Sequence, residues 1–198
     1  METITLSVGA FEENASIIAM DDGTAWIVDP GAEADKISAA IDSRNHKVAG
    51  ILLTHGHFDH ITAIADLQAK YGDVSVFLHP ADAQMLGHPW NQFPPQYPLQ
   101  PRPKNLKLGT WPEIFEIIET PGHTPGSVCF YLKSENLLFS GDTLFAGSAG
   151  RTDFPGGSFA ALKRSLARLA ELPDETRVIP GHGNETTIGE EKRSNPFY

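Results

Sequence analysis

The stretch that decides the fold is Val48-Ala49-Gly50-Ile51-Leu52-Leu53-Thr54-His55-Gly56-His57-Phe58-Asp59-His60. Its opening apolar run, residues 48–53, has no polar alternation, which is the pattern of a strand buried on both faces. The run stops at Thr54, and four strong metal ligands follow within six residues. His55 and His57 are two apart and can point from one turn toward one ion. Asp59 and His60 come next and can reach a second. Histidine nitrogen and carboxylate oxygen suit zinc, iron or manganese, and no thiolate is needed.

Three further ligand residues sit downstream in the same grammar of strand, small residue, ligand and loop. His123 lies in Thr120-Pro121-Gly122-His123-Thr124-Pro125-Gly126, stiffened by two prolines and two glycines. Asp142 follows an apolar strand in Ser140-Gly141-Asp142-Thr143. His182 follows Val178-Ile179 in Pro180-Gly181-His182-Gly183. Ligands placed this way sit on rigid supports, and the glycines let the backbone approach an ion closely. A lone histidine after a strand is more often structural than a ligand, so His182 alone would carry little. Seven residues agreeing in type, order and strand-end position carry the reading. His46, His79 and His88 lack this context and read as surface or packing residues. Cys129, inside Val128-Cys129-Phe130-Tyr131, reads as a buried small hydrophobe. Asp29, in Val28-Asp29-Pro30-Gly31, reads equally as a turn residue or as a hydrogen-bond partner of the ligand loop.

Working outward, residues 3–8, 16–20, 25–28, 74–78, 114–119, 127–132, 136–140 and 177–179 read as strands. Asp21-Asp22-Gly23 marks a hairpin turn. Helical spacing appears in Ile37, Ala40 and Ile41, in Ile61, Ile64, Ala65 and Leu67, and in the stripe Phe159, Leu162, Leu166 and Leu169. The segment 87–104 carries six prolines, which exclude a regular helix or a central strand. It is expected either to wall the pocket, through Trp90, Phe93 and Tyr97 with Arg102 and Lys104 nearby, or to be a tethered surface loop or subunit contact. The pattern implies an α/β protein with two packed sheets, helices outside, and the polar site along one edge.

Length favours one domain over residues 1–198. A formal net charge of −10 excludes a nucleic-acid partner, because phosphate backbones demand concentrated Lys and Arg. No run approaches a membrane span, no secretory signal is visible, and a single cysteine precludes an internal disulfide. A reducing cytoplasm is therefore the expected location.

With these motifs assembled, the chain resembles the metallo-β-lactamase superfamily along essentially its whole length. The resemblance implies a four-layer αββα sandwich, two mixed sheets packed face to face with helices outside. It implies a two-metal centre of His55, His57 and His123 on one ion, Asp59, His60 and His182 on the other, and Asp142 bridging both. Zinc is the first expectation, with iron or manganese as alternatives. A hydroxide between the ions would be the nucleophile, with Asp59 as the catalytic residue that orients it and passes a proton. Within the superfamily the chain is similar to short bacterial glyoxalase II proteins. The carriers are the His123 and Asp142 motifs, Gly150-Arg151-Thr152-Asp153-Phe154, and Asn195-Pro196-Phe197. That implies a thioesterase cleaving S-2-hydroxyacylglutathione, such as S-D-lactoylglutathione, to a 2-hydroxy acid and a thiol, as in methylglyoxal detoxification. The C-terminal helical glutathione-binding domain of longer glyoxalase II enzymes is not expected. Arg151 is expected either to bind a substrate carboxylate or to pair with Asp153. A mono-iron persulfide dioxygenase, or a hydrolase of another thioester or ester, is the alternative.

Overall fold

The computed structural model describes residues 1–91 and 99–198. Two compact units divide the chain, Met1–Thr110 and Trp111–Tyr198.

The first unit is a six-stranded mixed sheet in strand order β1-β2-β3-β4-β5-β6. Strands β1 (Glu2–Val8), β2 (Glu13–Ala19) and β3 (Thr24–Val28) run antiparallel, and β4 (Lys47–Leu52), β5 (Val76–Leu78) and β6 (Leu106–Leu108) continue parallel to β3. The β2–β3 turn closes where expected. Met20 N–H donates to the Thr24 carbonyl at 2.8 Å, and Gly23 takes φ 81°, which a side chain would resist. Helices α1 (Ala34–Asp42) and α2 (Ile64–Tyr71) return the chain between parallel strands. Their Ile37, Ile41, Ile64 and Leu67 join Ala15, Ile17, Ile27, Ile51 and Leu78 in one buried cluster. Each fully buried Ile or Leu contributes about 1.5–3 kcal/mol, so these side chains, rather than helix propensity, hold such short helices. In β4 both Ile51 and Leu52 are fully buried, as the unbroken apolar run requires.

The second unit is a five-stranded mixed sheet in order β13-β12-β9-β8-β7. It comprises β7 (Glu116–Glu119), β8 (Val128–Leu132), β9 (Leu137–Gly141), β12 (Arg177–Pro180) and β13 (Thr186–Thr187), with only β9 and β12 parallel. A small hairpin, β10 (Leu144–Phe145) and β11 (Ser148–Ala149), follows β9. Helix α3 (Phe159–Leu169) is capped by Ser158, whose hydroxyl accepts Ala161 N–H, and α4 (Ile188–Ser194) by Thr187, which accepts Glu190 N–H. Leu162, Leu166 and Leu169 of α3 pack with Cys129, Tyr131, Leu138 and Val178.

Two mixed sheets and four helices among the described residues are the α/β class expected. Several elements differ in detail. Phe159 is 52% exposed and does not belong to the α3 stripe; at the first helical position nothing packs over it. Helix α2 starts later than Ile61, because Phe58–His60 forms a 3-10 turn first. Ile114 is exposed and precedes β7 rather than belonging to it. Strands β6, β10, β11 and β13 and helix α4 were not expected; they are short, and their apolar patterning is weak. The apolar wall expected from Trp90, Phe93 and Tyr97 rests on side chains outside the described ones, while Lys104 pairs with Asp73 at 3.2 Å. Among the described residues no helix is long and apolar enough to cross a membrane.

Candidate metal centre

In the first unit the ligand turn springs from the end of β4 and is anchored by Asp29, at the end of neighbouring β3. Asp29 takes φ 48°, which turns its side chain across the top of β4. Its Oδ1 accepts Thr54 N–H at 2.7 Å, and its Oδ2 accepts both the Thr54 hydroxyl at 2.5 Å and His60 Nδ1 at 3.1 Å. Both roles open to Asp29 are thus realised: it makes the turn and holds the ligand loop. Thr54 Oγ1 lies 3.0 Å from His55 Nδ1. The Thr54 hydroxyl hydrogen is already given to Asp29, so Thr54 accepts from His55 Nδ1–H. His60 Nδ1 likewise donates to a carboxylate. Each imidazole is thereby held in the tautomer with hydrogen on Nδ1, and Nε2 is the nitrogen that would ligate a metal.

His55, His57 and His60 are all buried. The His55 ring centroid is 4.8 Å from that of His57 and 4.2 Å from that of His60. Asp29, His55 and His60 are able to bring ligand atoms within 4.8 Å of one another. Sequence reading missed two side chains that fix the backbone of this turn. Buried Asp82 accepts Gly56 N–H at 3.1 Å. Asn91 accepts Phe58 N–H at 3.1 Å and donates to the Gly56 carbonyl at 2.7 Å. It also missed Glu13, whose Oε2 accepts Gly31 N–H at 3.2 Å and whose Oε1 is 3.8 Å from His60 Nδ1. Burial pushes the Glu13 carboxyl well above the usual range. His60 opposes that shift, and the nearby Asp29 and Asp59 carboxylates add to it. Nothing local to Glu13, Asp82 or Asn91 signals these roles, because each acts across at least 18 residues of chain.

In the second unit His123 leaves the end of β7 in a loop packed on α3. An added Cβ on Gly122 would lie 2.5 Å from the Leu162 backbone, so only glycine fits. Ser158 N–H donates to the Gly122 carbonyl at 2.8 Å, and the Ser165 hydroxyl to that of Pro121 at 2.8 Å. His123 Nδ1 donates to the Arg151 carbonyl at 2.7 Å, which again makes Nε2 the ligating nitrogen. That Nε2 is 3.4 Å from Asp142 Oδ2, and His182 Nε2 is 3.8 Å from Asp142 Oδ1. One carboxylate therefore faces a histidine with each oxygen. Gly181 N–H donates to the Gly141 carbonyl at 2.8 Å, tying the strand ends that carry His182 and Asp142. Arg151 forms a bidentate pair with Asp153, both contacts 2.6 Å, and lies 4.1 Å over the Phe154 ring. The pair holds Asp153 down to about 2.

The first unit thus gathers His55, His57, Asp59 and His60 on one turn, and the second gathers His123, Asp142 and His182. Buried imidazoles with fixed tautomers and a carboxylate between histidines are the donor chemistry of divalent transition metals, so the residues present fit such ions.

The family described as the metallo-beta-lactamase superfamily matches residues 8–182. A hydroxyacylglutathione hydrolase of Haemophilus influenzae is 40% identical, over 97% of this chain and 95% of its own. A probable metallo-hydrolase of Bacillus subtilis is 39% identical over the same shares. Among solved structures, the BLEG-1 B3 metallo-beta-lactamase superposes with a TM-score of 0.92 at 35% identity, covering 99% of both chains. TTHA1623 in a di-iron-bound form gives 0.83 at 41%, covering 98% of this chain and all of its own. ETHE1 from Myxococcus xanthus gives 0.80 at 28%, covering 99% of this chain and 84% of its own. Motifs, fold and relatives agree that this chain belongs to the metallo-beta-lactamase superfamily, as a metal-dependent hydrolase with a histidine-rich metal site.

Proposed function

We propose that this enzyme is a thioesterase of the hydroxyacylglutathione hydrolase type, acting on S-2-hydroxyacyl thioesters of a small thiol. The observation that carries the two-metal reading is Asp142, whose two carboxylate oxygens face His123 and His182 at 3.4 and 3.8 Å. In this reading His55, His57, Asp59 and His60 of the first unit and His123, Asp142 and His182 of the second would hold the divalent ions. When bound, two divalent ions make water acidic enough to attack at neutral pH and polarise the thioester carbonyl. The chain's own part is orientation and proton handling. Asp29 and the Arg151 carbonyl keep His55, His60 and His123 in the ligating tautomer, and the Asp59 carboxylate accepts and returns a proton. Arg151, held by Asp153, offers a guanidinium to an anionic substrate at the rim. The near-full-length hydroxyacylglutathione hydrolase relative supports the substrate class. A net charge of −10 agrees with a small-molecule partner rather than nucleic acid, and a single cysteine agrees with a reducing cytoplasm.

The likeness to ETHE1, with iron present in another solved relative, supports a second reading, mono-iron persulfide oxidation on the same scaffold. The deciding experiment assays metal-reconstituted protein against S-D-lactoylglutathione, a glutathione persulfide with oxygen uptake, and a β-lactam, with elemental analysis of the same sample. Thioester turnover with two metals per chain supports the proposal. Oxygen uptake with one iron per chain, or hydrolysis confined to the β-lactam, overturns it.

A further inference from the structure

Glu13 is a buried acid beside the ligand turn that the chemistry above does not use. It is the first residue of β2, is 1% exposed, and lies within reach of both Gly31 and His60. Its Oε2 takes the Gly31 N–H at 3.2 Å. Gly31 in turn is squeezed. A Cβ built there would stand 1.8 Å from the Asp59 carbonyl oxygen and 2.6 Å from Glu13 Oε2. The position of Gly31 therefore sets where the main chain of Asp59 lies, and Glu13 sets the position of Gly31. The next link fastens the far side of the turn, where Ala63 N–H donates to the Pro30 carbonyl at 3.0 Å. The other oxygen of Glu13 is 3.8 Å from His60 Nδ1, while Asp29 Oδ2 approaches the same nitrogen at 3.1 Å. Two carboxylates on different strands thus bracket one imidazole.

We propose that Glu13 is a positioning residue: its carboxyl group grips Gly31 with one oxygen and faces His60 with the other, and so aims Asp59 and His60 at their metal ion. The proposal rests on the two-metal reading. A purely structural Glu13 would need only to satisfy the buried Gly31 N–H, and a neutral amide does that equally well. The positioning role needs a carboxyl oxygen on both sides, one at Gly31 and one facing His60.

Glu13→Gln separates the two roles. The amide keeps the volume and leaves a carbonyl oxygen for Gly31, but turns an NH2 donor toward the Nδ1–H of His60. The measurement is zinc binding to the metal-free protein, with both dissociation constants read by chelator competition, alongside the melting temperature of the metal-free form. Wild type is expected to bind two ions. In Glu13→Gln one constant should rise roughly 10–100-fold, the usual effect of losing a residue that orients a ligand. The other should hold, and metal-free melting should stay within about 2 °C. Glu13→Ala should weaken the same constant further, and Glu13→Gln decides if the alanine variant does not fold. Unchanged constants in Glu13→Gln, or equal weakening of both with a lower melting temperature, overturn the proposal alone. A wild-type chain that takes up only one ion overturns the two-metal reading together with it.

Discussion

At the scale of single residues, the candidate ligands depend on side chains hydrogen-bonded to them. Asp29 is the clearest, because its carboxylate serves Thr54 directly and His55 through Thr54, as well as His60. Asp29→Asn replaces one acceptor oxygen with a donor, so either Thr54 or His60 loses its partner. Metal affinity measured by chelator competition should fall roughly 10–100-fold with the fold retained by circular dichroism. The Arg151–Asp153 pair makes a pH prediction. Its carboxylate is held near 2 against an ordinary 3.8. A depressed carboxylate contributes its stabilisation above the unfolded value and loses it as pH falls through the folded one. The pair should therefore survive at pH 3 and open near pH 2, seen as the Asp153 carboxyl carbon titrating near 2 by NMR. A midpoint at 3.8 would show that the pair does not form in solution.

At the scale of elements, strand ends carry the candidate ligands and a helix backs one of their loops. Helix α3 backs the His123 loop, with Leu162 fully buried and its backbone against Gly122. Leu162→Ala should lower stability by about 2–5 kcal/mol, read as an earlier urea midpoint with an unchanged slope. The strands before His55 and Asp142 were legible in the sequence because each is an apolar run that ends abruptly at a polar or small residue, and those before His123 and His182 showed through Ile117-Ile118 and Val178-Ile179. The donor residues were legible because their identities and spacing are local. What was not legible is what topology brings together. Glu13 reaches Gly31 only because β2 lies beside β3, and Asn91 reaches Gly56 from 35 residues away. Helix α4 has Ile188 as its one buried large apolar residue, too little for a period to show. Phe159 fitted the α3 period and still faces solvent, because periodicity fixes a face and not the depth of what covers it.

At the scale of the whole molecule, metal and stability are coupled. An ion that binds only the folded chain adds about 4 kcal/mol when free metal stands at a thousand times its dissociation constant. For a chain of this size that corresponds to a melting temperature on the order of 10 °C higher. Adding a strong chelator should reverse that shift and abolish turnover together, and restoring metal should recover both. Melting that ignores the chelator would mean the ligand residues hold no ion in the folded protein.

Cys129, the chain's single cysteine, is fully buried in β8, close to Thr120 Oγ1 and the Ser140 carbonyl. The native surface therefore presents no thiol of its own. If the proposed thioesterase reaction releases a thiol, the folded protein offers it no thiol of its own for a mixed disulfide. Any colour developed with a thiol reagent on the folded protein reports the leaving group alone, and the protein's own sulfur should react only once the chain unfolds.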